Sequence, residues 1–144
     1  MIKYRLARSS DAPELHRLNE LFNGEGCNTL GAIEESLKSN EQEIVCVASD
    51  GKKLAGFCCG QIFKSICYSV SYAEITEIFI LAEYRRQGIG RQLMMFMESE
   101  FKKSGIDNFQ VFTGKSNTAA QAFYRSMGYS RTTEILFRRR KWNV

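Results

Sequence analysis

The chain has 144 residues, of which 44% are hydrophobic, and its formal net charge is +4. This length suits one domain spanning residues 1–144, with a core that buries roughly two thirds of the surface of the unfolded chain. The mildly basic balance, with a sequence pI of about 8.8, suits a polyanionic small molecule but lacks the dense basic stripe of a nucleic-acid-binding protein.

The sequence carries no sign of export or of membrane insertion. The N-terminal stretch MIKYRLARSSD has no apolar signal-peptide core, and no run of about eighteen apolar residues occurs. The five cysteines show no CxxC spacing and lie mostly in apolar runs, which is typical of small buried residues in a reduced protein. We therefore expect a cytoplasmic protein with no metal, no membrane partner and no nucleic-acid partner.

The first third of the chain predicts one strand and two helices. Residues 2–7 alternate between apolar and polar, which is typical of a strand. Asp11, followed three residues later by Glu14, is the pattern of a capping box and predicts a helix that runs to Phe22. Thr29 is placed to cap a second, shorter helix with apolar residues at helical spacing.

Three strands are predicted in the middle of the chain. Glu43 to Ala48 is rich in β-branched residues, and Asp50-Gly51 is a strong hairpin signal that leads into a strand from Leu54 to Phe63. Two glycines inside this second strand indicate a bend or a close backbone approach. A third apolar strand covers roughly Ser71 to Ala82.

The remaining elements alternate between helices and strands. An amphipathic helix ends at Ser104-Gly105, a short strand covers Phe109 to Thr113, and Asn117 or Thr118 caps another helix. Tyr129 to Arg138 predicts a last strand. Because a helix separates the strand at Ser71 to Ala82 from the strand at Phe109 to Thr113, these two are expected to pair in parallel. The order β-α-α-β-β-β-α-β-α-β predicts a mixed α/β sheet of six to seven strands.

A basic, glycine-rich turn, Arg85 to Arg91 with the sequence RRQGIGR, joins an apolar strand to the amphipathic helix. At such a junction several unpaired backbone N–H groups meet the positive end of the helix dipole, which binds anions and above all phosphate. Gly88 and Gly90 let an anion approach the main chain, and the three arginines add positive charge. The turn therefore predicts a ligand that carries phosphate.

Two other phosphate-binding motifs fail on their spacing. Gly114-Lys115-Ser116 is similar to the end of a P-loop, but Phe109 stands where that motif requires a glycine. A Rossmann fingerprint requires a third small residue where Leu93 stands, and it belongs early in the fold. A nucleotide-binding protein is therefore the weaker alternative, and it predicts that ATP or NAD competes better than coenzyme A.

The turn resembles the Q/R-x-x-G-x-G/A signature of the GNAT superfamily of acetyl-coenzyme A dependent N-acetyltransferases. The later segment Asn117…Ala120…Tyr124…Gly128-Tyr129 is similar to the N…A…Y…GF/Y segment of the same family. The resemblance implies a GNAT-like fold, an acyltransferase activity and acetyl-coenzyme A as cosubstrate. The proline that often precedes the signature is absent, because this chain has Ala82-Glu83-Tyr84 there.

The resemblance also implies roles for individual residues. In the family, the amides of the turn bind the coenzyme pyrophosphate, and the preceding strand pairs its main chain with the pantetheine arm. Asn117 matches a residue that contacts the coenzyme, and Tyr124 matches a tyrosine near the sulfur, where it would protonate the leaving thiolate. The implied coenzyme-binding residues are Ile78, Phe79, Ile80, Arg85, Arg86, Gln87, Gly88, Ile89, Gly90, Arg91 and Asn117.

Acetyl transfer to an amine requires a base, because an alkyl amine is neutral in only about one molecule in a few thousand at pH 7. A carboxylate in the cleft can accept the proton directly or through water. Glu74 lies eleven residues before Arg85, the spacing at which several members of the family, including histone acetyltransferases and some aminoglycoside acetyltransferases, carry a glutamate base. Glu77 is the competing candidate, and water or another group is the remaining alternative. In a regular strand these two side chains point to opposite faces, unless a bulge lies between them.

The acceptor is predicted less sharply than the coenzyme. In the family the acceptor cleft is built from the first two helices and a segment between strands, here around residues 22–37 and 63–72. Glu25, Glu34 and Glu35 either attract a cationic amine or form a solvated helix face. We expect a small amine, aminoglycoside-like or polyamine-like; the alternatives are a protein or peptide amine and a non-catalytic module that binds coenzyme A. A homodimer that uses the last strand and Trp142 is compatible with the sequence.

Overall fold

The computed structural model describes residues 1–139, which contain five strands and four α-helices. In chain order these elements are β1 (Ile2–Leu6), α1 (Ala12–Asn23), α2 (Leu30–Ser39), β2 (Glu43–Asp50), β3 (Lys53–Phe63), β4 (Tyr72–Ile80), α3 (Ile89–Lys103), β5 (Phe109–Val111) and α4 (Thr118–Ser126). The mixed α/β class and the predicted order of elements are confirmed from β1 to α4. None of the described helices is long and apolar enough to cross a membrane.

The five strands form one sheet in the order β1-β2-β3-β4-β5. Neighbouring strands from β1 to β4 are antiparallel. Only β4 and β5 are parallel, with Ala73 opposite Phe109 and Ile75 opposite Val111. The helix α3 connects these two strands, so the predicted parallel crossover is confirmed.

The predicted last strand, Tyr129 to Arg138, is wrong, because residues 130–139 contain no strand. The apolar side chains of this segment are exposed, with Phe137 at 89%. Alternating β-branched residues favour an extended chain, but a strand also needs a neighbouring strand with which its backbone can bond. The described sheet therefore has five strands rather than six to seven. Trp142, which we linked to a homodimer, lies outside the described residues.

The described chain divides into two compact units. The sheet and the helices α1 to α3 belong to the first unit, residues 1–111, while α4 belongs to the second, which begins at Phe112. Our expectation of one domain over residues 1–144 stays a prediction.

The helices α1 and α2 cover one face of the sheet, here called the α1/α2 face. Leu15 and Leu18 of α1 pack with Val47 of β2 and Phe57 of β3, and all four side chains are buried. Leu37 of α2 packs against the same cluster. The apolar stripes that the sequence predicts along α1 and α2 thus pack against the sheet.

The helix α3 covers the opposite face of the sheet. A Cβ atom added at Gly60 of β3 would lie 2.5 Å from Cζ of Phe101 and 3.0 Å from Sδ of Met97, both in α3. Only a glycine lets this helix approach the strand so closely. The close backbone approach that the sequence predicts within this strand is therefore confirmed.

Asp11 and Glu14 do not form the predicted capping box. The Asp11 carboxylate accepts hydrogen bonds from Nη1 and Nη2 of Arg5, at 2.7 and 3.0 Å, and from the amide of Arg8 at 2.7 Å. Glu14 instead accepts a hydrogen bond from the amide of Leu54 in β3, at 3.2 Å. That prediction is wrong because partners from other elements compete successfully for both carboxylates.

Candidate functional site

A β-bulge interrupts the pairing of β3 and β4. Glu77 lies opposite Cys59, but the next residue of β3, Gly60, lies opposite Ile75. Thr76 is therefore the extra residue on β4. Such a bulge bends the strand and changes the alternation of its side chains.

The bulge brings Glu74 and Glu77 to the same face of the sheet. Glu74 lies opposite Gln61, and Glu77 lies opposite Cys59. Gln61 and Cys59 are two residues apart on β3 and share a face, so their partners on β4 share that face too. Cys59 packs against the cluster under α1 and α2, so the face that Glu74 and Glu77 share is the α1/α2 face. Of the two arrangements left open by the sequence, the structure has the one with the bulge.

The two glutamates of β4 have different partners. Glu74, which is half-buried, accepts a hydrogen bond through Oε1 from Nε2 of Gln110 in β5, at 3.0 Å. Glu77, also half-buried, accepts a hydrogen bond through Oε2 from the hydroxyl of Thr76, the bulge residue. Gln110 on the parallel strand β5 thus orients Glu74, whereas the bulge residue Thr76 orients Glu77.

Glu43 of β2 is a third carboxylate on this face, and sequence reasoning missed it. The carboxylate oxygens of Glu43 and Glu77 and the Sγ of Cys59 all lie within 4.8 Å of one another. Burial raises the pKa of Glu43, and the negative charge of Glu77 raises it further. The only signal in the sequence is a carboxylate at the start of an otherwise apolar strand.

Within residues 1–139, no lysine or arginine forms an ion pair with Glu43, Glu74 or Glu77. Burial, followed by the nearby carboxylates, raises the pKa of the Cys59 thiol well above its ordinary value. The thiol therefore keeps its proton and is a poor nucleophile. The carboxylates of Glu43, Glu74 and Glu77 therefore have no paired lysine or arginine in the described part of the chain, an arrangement that suits a cationic ligand.

The basic turn forms the start of α3 and adopts an unusual backbone conformation. Arg86 and Gly88 both have positive φ, at 62° and 77°. The first helical hydrogen bond there runs from the amide of Gln92 to the carbonyl of Gly88, at 3.1 Å. In the described part of the chain, the amides of residues 86–90 donate no hydrogen bond. These amides are therefore available to an anion at the positive end of α3.

The side chain of Arg85 contacts the last residues of β4. Its Nε donates a hydrogen bond to the carbonyl of Ile80, at 2.9 Å. Its guanidinium carbon lies 5.8 Å from the ring centroid of Phe79. These contacts fix where the turn begins relative to the last residues of β4. Arg86 and Arg91 are exposed around the same turn.

The last residues of β4 have a strand on only one side. Residues 78–80 pair with β3, whereas β5 pairs only with residues 73–75. Within residues 1–111, no strand pairs with the other edge of β4 beyond Ile75. An open strand edge of this kind can pair with an extended ligand that carries amide groups.

Asn117 is the N-cap of α4 and Tyr124 lies within that helix, in the second compact unit. The Oδ1 atom of Asn117 accepts a hydrogen bond from the amide of Ala120, at 3.1 Å, and caps the helix. Tyr124 is half-buried, with its ring centroid 5.6 Å from that of Phe123 and 6.3 Å from that of Tyr129. The predicted N-cap at Asn117 is confirmed. The coenzyme contact of Asn117 and the acid role of Tyr124 stay predictions.

The sequence matches the model of the acetyltransferase (GNAT) family over residues 12–129. An uncharacterized N-acetyltransferase of Chlorobaculum tepidum is 30% identical over 138 residues, which cover 96% of this chain and 81% of the relative. The ribosomal protein bS18-alanine N-acetyltransferase of Escherichia coli K12 is 29% identical over 91 residues, or 60% of this chain and 62% of that protein.

The fold also matches a solved structure. The aminoglycoside N-acetyltransferase AAC(6')-Iy, in complex with the bisubstrate analogue CoA-S-monomethyl-acetylneamine, superimposes with a TM-score of 0.83. The superposition covers 99% of both chains at 20% sequence identity, so it establishes a shared fold. The match of the family model over residues 12–129, which include the turn and most of the later segment, confirms the family resemblance. This chain belongs to the acetyltransferase (GNAT) family and is an acyltransferase.

Proposed function

We propose that this protein transfers the acetyl group of acetyl-coenzyme A to a primary amine of a small cationic molecule, by direct attack of the amine. One observation carries the proposal. The bulge at Thr76 places the carboxylates of Glu74 and Glu77 on one face, immediately before the part of β4 whose outer edge pairs with no described strand. A proton acceptor and a binding edge for the acetyl donor thus lie next to each other on one strand.

The basic turn and the open edge of β4 fit the donor. Within residues 1–139 the amides of residues 86–90 donate no hydrogen bond, and no atom lies within 4 Å of where a Cβ would stand at Gly88. Acetyl-coenzyme A supplies the thioester when it is bound. The turn amides and the positive end of α3 would hold its pyrophosphate, with charge added by Arg86 and Arg91. The main chain of residues 78–80 would pair with the pantetheine arm, and Asn117 would add a further contact.

Glu74 is the proposed proton acceptor. Its hydrogen bond from Gln110 orients the carboxylate where β4 and β5 pair, on the α1/α2 face. An alkyl ammonium must lose a proton before it can attack, which costs about 4 to 5 kcal/mol at pH 7. A carboxylate held beside the amine can accept the proton as the amine attacks, and general base catalysis of this kind contributes about 10² to 10⁴ in rate. Glu77 is the alternative acceptor on the same face, and Tyr124 is the proposed donor to the leaving thiolate.

The E. coli relative supports a second candidate function. That protein is an N-acetyltransferase of the alanine of ribosomal protein bS18, and it is 29% identical to this chain over 91 residues. An α-amine at a protein N-terminus needs the same chemistry, namely a base and an acetyl donor. A protein or peptide acceptor is therefore the alternative to a small cationic amine.

A thiol-release assay tests the proposal. The protein is mixed with acetyl-coenzyme A and, in turn, with monoamines, diamines, an aminoglycoside and a peptide that begins with alanine. We expect release above background with a small cationic amine, and a lower kcat for Tyr124→Phe at saturating amine. Release with the peptide alone would favour the second candidate. Coenzyme binding without release for any acceptor would instead identify a non-catalytic module.

A further inference from the structure

Glu43 and Glu74 stand at the two ends of a row across the sheet. Glu43 of β2 lies opposite Gln61 of β3, and Gln61 lies opposite Glu74 of β4. Residues opposed in this way share a face. Two strand spacings separate the Cα atoms of the two glutamates, a distance of about 10 Å. The row thus has a carboxylate at each end and a neutral amide in the middle.

Among residues 1–139, no lysine or arginine forms an ion pair with the two carboxylates of this row. The side chain of Glu43 is half-buried and forms no ion pair within residues 1–139. A carboxylate oxygen of Glu77 and the Sγ of Cys59 lie within 4.8 Å of its carboxylate. A carboxylate withdrawn from water beside another carboxylate is stabilised by a bound cation. The end of the row at Glu43 therefore favours a positive charge separate from the amine that reacts at Glu74.

A cavity of about 190 Å³ extends the row beyond Glu43, between the C-terminal part of α2 and the strands β1 and β2. Leu6, Leu37 and Val45 form apolar walls, whereas Ser36 contributes a hydroxyl and Asn40 an amide. The cavity has room for several groups the size of a water molecule or a methylene, since a water molecule occupies roughly 30 Å³. Apolar walls suit a methylene chain better than a sugar ring, whose hydroxyl groups would lose hydrogen bonds to water.

We propose that Glu43 is a specificity-determining residue that selects α,ω-diamines as acetyl acceptors. The ammonium at one end binds Glu43, the methylene chain crosses β3 over Gln61, and the amine at the other end reacts beside Glu74. The inference rests on the proposed N-acetyltransferase function and narrows its acceptor to linear molecules with two positive charges. A longer polyamine places the rest of its chain in the cavity.

The test compares putrescine with butylamine, which has the same carbon chain and a single amine. Loss of one charge-assisted contact corresponds to about tenfold or more in kcat/KM. We expect the wild-type protein to prefer putrescine by about that factor, and Glu43→Gln to reduce the ratio towards one, mainly through KM. Glu43→Asp keeps the charge and should retain part of the preference. Glu41→Gln removes an exposed carboxylate two residues away and should leave the ratio unchanged.

An equal preference in the wild-type protein and Glu43→Gln would overturn the inference, as would the absence of a preference in the wild-type protein. A binding measurement separates this failure from failure of the proposed function. If no amine releases thiol, calorimetric titration of the intact protein with putrescine still tests Glu43. Binding that is lost in Glu43→Gln supports the inference. No binding by the wild-type protein, or equal binding by both, contradicts it.

Discussion

Asp11 and Glu43 show how the surroundings of a carboxylate separate a structural role from a functional one. Burial raises the pKa of Asp11, but the hydrogen bond from Arg5, the amide of Arg8 and the charges of both arginines outweigh it, so the pKa lies below its ordinary value. Glu43 has no such partner within residues 1–139, and its pKa is raised. The protein itself thus supplies the hydrogen-bond donors and positive charge that stabilise the Asp11 carboxylate. For Glu43 we propose that a cationic ligand supplies them.

Asp11→Asn should lower the free energy of unfolding by about 1 to 3 kcal/mol at pH 7, since it breaks a buried charge-assisted contact with Arg5. The folded pKa of Asp11 lies below the unfolded value of about 3.9. The stabilisation is therefore complete above the unfolded pKa and is lost as the pH falls through the folded pKa. Urea unfolding of both proteins across that range measures the difference.

The exposed Asp107 provides the control for this experiment. Asp107→Asn should change the free energy of unfolding by less than about 0.5 kcal/mol at every pH, because its carboxylate is in water. A loss for Asp11→Asn that is the same at acidic and neutral pH would show that the ion pair with Arg5 is not its cause.

Among the elements, those specified by local patterns were predictable from the sequence. The hydrophobic periodicity of α3 and the glycines before it predicted the helix, the turn and their order along the chain. The bulge at Thr76 was not predictable, because it depends on the register between β3 and β4. The prediction of a strand from Tyr129 to Arg138 was wrong for a related reason, since strand propensity alone does not supply a neighbouring strand to pair with.

The turn before α3 gives a prediction with an internal control. Gly88 and Gly51 both have positive φ, at 77° and 63°, and neither has a neighbour within 4 Å of an added Cβ. Alanine at either position should cost about 1 to 2 kcal/mol of stability. Only Gly88→Ala should also weaken coenzyme A binding, by about tenfold, because relief of the strain moves the anion-binding amides.

Calorimetric titration with coenzyme A measures this difference. Gly51 lies in the hairpin between β2 and β3, so Gly51→Ala should bind coenzyme A as the wild-type protein does. If the wild-type protein and both variants bound coenzyme A with equal affinity, the result would contradict a role of the turn in coenzyme binding.

For the whole molecule, the separation of charge matters more than the formal net charge of +4. The basic turn at the start of α3 suits a polyanionic coenzyme, and the carboxylates of the α1/α2 face suit a cationic amine. Composition alone indicated the anionic ligand. The acidic face arises only on folding, when β2 and β4 pair with opposite edges of β3 and bring Glu43 close to Glu77. Strand β4 then connects the two sites.

The pH dependence of kcat/KM for amine acetylation tests the central claim, that a carboxylate on β4 accepts the proton of the amine. Glu74→Gln should lower kcat/KM by about 10² to 10⁴ at neutral pH. The deficit should shrink as the pH approaches the amine pKa of about 10.4, where the amine is already neutral. Glu77→Gln should have a smaller effect, and Glu41→Gln none. Wild-type values of kcat/KM at neutral pH in both Glu74→Gln and Glu77→Gln would contradict the account.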